Sequence, residues 1–190
     1  MDEATRTLYW NQGNLYRELW TVQARQLAYA AQVLYRRYEV AAEILFGLPN
    51  EEEWVERGEL LSEMSLHSTA MMLAGYATEN ALKGIRIEQM NAESPMVEND
   101  PRIRDLTSTH NLVQIAATAR IAVTEVQSVL LQSLTDYVLW SGRYPRPRRP
   151  AAFLTDDLQH ARLDLSQSPG EWGRFVEFFN MLVALEASNA

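Results

Sequence analysis

The chain contains no cysteine, which removes disulfides, thiolate zinc sites and cysteine nucleophiles together. Lysine occurs once, at Lys83, so 16 of the 17 basic residues are arginine. Histidine occurs three times, at His67, His110 and His160, and a metal site would have to borrow carboxylates from several elements. No phosphate-binding glycine pattern, paired-histidine helix motif or nucleophile elbow is present. Neither a cofactor nor a metal is therefore expected. No apolar run reaches the ~20 residues that a membrane span needs. The opening MDEATRTLYW lacks the basic and then apolar regions of a leader, so a cytoplasmic location is the expectation. A formal charge of -8 argues against a surface that binds nucleic acid all over, while leaving a local basic patch open.

What is present is a soluble-domain composition, 47% hydrophobic and 22% charged over 190 residues, arranged in long runs of helical period. One domain, 1–190, is expected, with a bundle core over about 15–143. Tyr16, Trp20, Ala24, Leu27, Ala31, Leu34, Tyr38, Ala41 and Leu45 advance by threes and fours, predicting a long helix that Gly47 and Pro49 stop. A separate short helix is expected over 3–12. Asn50 and Glu53 have capping-box spacing and open a second long helix, interrupted near Gly58 and running to about Met90. It would pack antiparallel to the first. Within it Ala70, Ala74, Ala77 and Ala81 make a smooth stripe that lets another helix come close.

Residues 91–109 read as a long exposed loop because they hold two prolines and several turn formers. Thr109 is the expected cap of a third helix, from His110 to about Arg120, and Thr124 with Gln127 opens a fourth. In that fourth helix Val126, Leu130, Leu134, Tyr137 and Trp140 are expected to face inward, with the end near Gly142. Arginines and prolines crowd residues 143–150, predicting a stiff basic connector. Asp156 to Leu163 reads as a short helix. Ser168, Pro169 and Glu171 then open an apolar C-terminal helix, about 169–187, that docks on the bundle. The fold class is all-α.

Three short segments resemble a known family when taken in order. Gly75-Tyr76-Ala77-Thr78-Glu79-Asn80-Ala81-Leu82-Lys83-Gly84, then His110-Asn111-Leu112, then Arg143-Tyr144-Pro145 look like the signatures of the HEPN domain family. The resemblance covers about residues 60–146. It implies an antiparallel bundle of four main helices and a shorter one, frequent homodimerisation, and roles in nucleotide binding, toxin-antitoxin pairs, phage defence and RNA cleavage. Members that cut RNA carry an arginine, usually followed by a polar residue, and a histidine four to six residues on. Arg104, Asp105 and His110 match that pattern. The implied roles are proton exchange with a ribose hydroxyl or leaving oxygen for His110 and phosphate stabilisation for Arg104. In such nucleases the pair generally lies on one helix, whereas Arg104 falls in the predicted loop.

Each candidate also has a structural reading. His110 suits a helix start and Arg104 a solvated loop position. Glu79 and Lys83, four apart, form a helical ion pair, or else Lys83 meets a phosphate or a partner at the bundle edge. Arg143, Arg146, Arg148 and Arg149, with Tyr144 able to stack on a base, suit RNA or nucleotide contact as well as a solvated connector. Two function classes stay open: a protein acting on or binding RNA or nucleotides, and a non-catalytic helical module associating with a cognate partner protein.

Overall fold

The computed structural model describes residues 16–48, 56–97, 100–141 and 170–188, and all regular structure among them is helical. Helix α1 is Arg17–Phe46, α2 Gly58–Met64, α3 Leu66–Glu93, α4 Pro101–Thr107, α5 Leu112–Thr118, α6 Glu125–Asp136 and α7 Glu171–Ser188. A π-helical turn, Tyr137–Ser141, continues α6. The expected helices at 3–12 and 156–163, the Asn50 capping box and the 143–150 connector lie outside the described residues.

Helix α3 is the centre of the bundle, touching every other described element. It runs antiparallel to α1: Arg17, at the start of α1, pairs with Glu88 late in α3, while Tyr35 lies beside His67 near the start of α3. Alanine makes this close seam possible. Ala24, Ala31, Ala41 and Ala42 of α1 and Ala70, Ala74, Ala77 and Ala81 of α3 are all buried, so the two backbones approach with little side chain between them. Gly75 gives α6 the same access. A Cβ placed there would lie 2.6 Å from Val138 Cγ2 and 2.9 Å from the Leu134 carbonyl oxygen.

Several expectations are corrected. The break before α3 falls at Ser65 as well as ahead of Gly58, and the Ser65 hydroxyl donates to the Ser62 carbonyl. The 91–109 segment is not one loop: α3 continues to Glu93, and α4 folds where Asp100 accepts from the Arg102 N–H and Pro101 takes the first turn. Arg102 also reaches back to that carboxylate and holds its pKa down to about 2. Leu106 of α4 is buried. Asn111, rather than Thr109, caps α5 by accepting from the Gln114 N–H, and α5 begins at Leu112. The Thr124–Gln127 capping box is present, but Val126, Tyr16 and Leu185 are exposed.

Helix α7 docks through Phe175, Phe178, Phe179 and Leu182. Its first turn is held by the Ser133 hydroxyl, which donates to Glu171, and by Trp172 stacking on Tyr35 with ring centres 4.3 Å apart. Tyr35 also leads into a buried aromatic group around His67, where Tyr38 meets the imidazole edge-on at 4.8 Å and Tyr137 lies 6.0 Å away. Burial pushes the Tyr35 hydroxyl up to about 12, helped by Glu39. His67 is 6% exposed, its Nδ1 has no hydrogen-bond partner among the described residues, and burial pushes its pKa down to about 4.

Two outcomes follow from this packing. Gly75→Ala should cost about 1–3 kcal/mol in denaturant unfolding, because the nearest atoms include backbone that cannot rotate away. The unfolded chain's imidazole takes its proton near 6.5 and the buried His67 only near 4, so between those values the unfolded state binds more protons. Stability is complete above that window and falls by up to about 3 kcal/mol as the pH drops through it. His67→Phe should flatten this part of the stability profile.

Candidate functional site

From Ala77 to Ile87 helix α3 is enclosed on nearly every side, with only Asn80 and Arg86 keeping intermediate exposure. Two charges are buried there, Glu79 at 5% exposure and Lys83 at 2%. Four residues apart on a helix, they face the same neighbour, which is the Thr109–Asn111 segment. Lys83 Nζ donates to Glu79 Oε1 at 2.6 Å and to the Thr109 carbonyl at 3.0 Å. His110 Nδ1 lies 2.9 Å from Glu79 Oε2 and 3.1 Å from Oε1.

The backbone that carries His110 is secured from both sides. Thr109 Oγ1 accepts from the Asn111 N–H at 3.2 Å, and the Leu112 N–H donates to Thr135 Oγ1 of α6 at 3.0 Å. The Thr135 hydroxyl in turn donates to the Leu131 carbonyl at 2.7 Å. Orphan donors at the start of α5 are thus satisfied by Asn111 and by a neighbouring helix. His110 therefore sits just outside a capped helix, with its backbone tied to α3 through Thr109.

An ionised carboxylate only accepts hydrogen bonds, so the neutral imidazole that meets it must carry its proton on Nδ1. Nε2 is then the lone-pair nitrogen, and it has no partner among the described residues. The His110 side chain is 47% exposed. Lys83 balances the buried carboxylate, so the group carries no net charge while the imidazole is neutral. A buried carboxylate and a half-exposed imidazole whose second nitrogen is without a partner among the described residues together form an arrangement suited to general acid-base chemistry.

The other candidate residues are placed differently. Arg104 is exposed on the last turn of α4, separated from His110 by the helix end at Ser108, and its guanidinium has no charged partner among the described residues. The two are not on one helix. Lys83 is not at the bundle edge, and its ammonium is enclosed by Glu79 and the Thr109 carbonyl. The Glu79–Lys83 ion pair does form, but in the interior. Arg143, Tyr144, Arg146, Arg148 and Arg149 lie outside the described residues. No group of three metal-ligating side chains occurs among the described residues, and no described helix is long and apolar enough to cross a membrane.

Glu79 is the residue that sequence reasoning undervalued. The available signal was the surrounding composition: small or apolar residues appear on every side of α3 here, and a helix apolar all round is buried. Charges inside such a helix need partners from elsewhere in the fold. Comparison of the chain with protein-family models, curated proteins and solved structures returned no match.

The ion pair makes an unequal set of stability changes. Lys83→Met leaves a buried carboxylate without its countercharge and should cost about 3–5 kcal/mol, whereas Glu79→Leu combined with Lys83→Met should recover most of that loss. Thermal and urea unfolding of the two variants checks the contrast.

Proposed function

We propose that this chain is a HEPN-like protein that acts on RNA as an endoribonuclease needing no metal. The observation that supports the reading is the half-exposed imidazole of His110, whose inner nitrogen is held by a buried carboxylate. In this reading Nε2 of His110 takes the proton from a ribose 2'-hydroxyl. O2' then attacks the adjacent phosphorus, and the bond to the 5'-oxygen breaks as that oxygen gains a proton. Arg104 holds the phosphate and its developing charge from the neighbouring helix. Arg143, Arg146, Arg148 and Arg149, with Tyr144, contact the RNA strand. The protein works as a cytoplasmic homodimer, with two such pairs facing one another, in a defence or toxin-antitoxin setting.

A second reading is favoured by a different surface. The outer face of α1 exposes Leu19, Val22, Tyr29, Val33, Val40 and Ile44, which recur along one side of the helix. That suits a non-catalytic helical module associating with a partner protein.

Incubation of purified protein with RNA in the presence of a chelator separates the two. Wild type should cut the RNA, and His110→Ala should lose about 10²–10⁴-fold in rate. No cleavage by wild type, or undiminished cleavage by the variant, rejects the catalytic reading.

A further inference from the structure

Two side chains one turn apart on α3 hold consecutive residues at the site. Glu79 takes the ring of His110, with both carboxylate oxygens within 3.1 Å of Nδ1. Lys83 takes the backbone immediately before it, through the Thr109 carbonyl at 3.0 Å, and is joined to Glu79 at 2.6 Å. A stable fold needs neither hold, since an exposed histidine beside a capped helix can be left to solvent. Nor does stability call for a buried ion pair, which apolar residues of similar size replace at little cost.

We infer that Glu79 and Lys83 are positioning residues that lock His110 in the Nδ1–H tautomer and aim Nε2 outward. The carboxylate accepts a hydrogen bond from Nδ1–H in the neutral state and keeps that bond after Nε2 takes up a second proton. Lys83 has two jobs: it supplies the countercharge that lets Glu79 stay ionised in the interior, and it fixes the distance between α3 and the His110 backbone. Rotation of the ring away from Glu79 would leave a buried carboxylate oxygen without one of its partners, so the orientation is held by the same desolvation cost that makes the pair expensive. The use of Nε2 on RNA rests on the function proposed above, while the tautomer does not.

The test is nitrogen-15 NMR of the imidazole rings in the full chain at a pH where His110 is neutral, with His110→Gln to assign the signal. Wild type should show the Nδ1–H form in roughly tenfold or greater excess, the range expected for a hydrogen bond to a charged group. Glu79→Leu with Lys83→Met should reverse the ratio toward the Nε2–H form that free histidine favours. Should that double variant fail to fold, Glu79→Gln is measured instead. Its amide can accept or donate, so the excess should fall severalfold. A mixed or Nε2–H wild type, or a ratio unchanged in the folded variant, overturns the inference whether or not the protein cuts RNA. Where wild type does cut, the double variant should lose roughly 10–100-fold in kcat. A loss confined to KM would count against positioning.

Discussion

A carboxylate buried inside a helix bundle must be paired or the bundle is weakened by several kcal/mol. Glu79 meets that requirement with Lys83 one turn on and with His110 from a separate segment. The consequence extends well past the pair. Because its partners come from α3 itself and from the connection between α4 and α5, satisfying the charge draws that connection against the central helix. The Leu112 N–H to Thr135 then ties the same connection to α6. The most exposed member of the group, His110, is thereby mounted on the most deeply buried helix.

Small residues make this arrangement possible. A helix can be surrounded on every side only where its neighbours come close, and α3 offers alanine toward α1 and Gly75 toward α6. Close approach leaves little water near Glu79 and Lys83, which raises both the cost of their charges and the directional strength of their hydrogen bonds. Packing and site geometry are therefore the same problem in this protein. The aromatic group around His67 is the opposite case: its imidazole is buried without a charged partner, and burial keeps it neutral.

Much of the fold was legible in the residue pattern. The three- and four-residue steps from Tyr16 to Leu45 marked α1 to within a residue at each end, and Thr124 with Gln127 marked the start of α6. Local signals of this kind act within one or two turns, so they survive without tertiary information. The 91–109 segment was misread because its prolines and turn formers can equally open a short helix, as Pro101 does beside the Asp100 cap. Val126 was placed inward by period alone. Periodicity gives a helix its faces, but which neighbours cover them near an end depends on where the other helices stop.

By itself the sequence determined an all-helical chain without thiol chemistry, the pairing of small-faced helices, and the spacing that puts Glu79 beside Lys83. It also brought forward His110 and Arg104, through a resemblance rather than through periodicity. Only the tertiary structure decided that Glu79 and Lys83 are interior, and that the residue completing their network is His110, 31 positions beyond Glu79. Burial and long-range hydrogen bonding depend on which surfaces meet. Helical spacing is a property of one segment, whereas the charge that Glu79 must satisfy is decided by the solvent that its neighbours exclude.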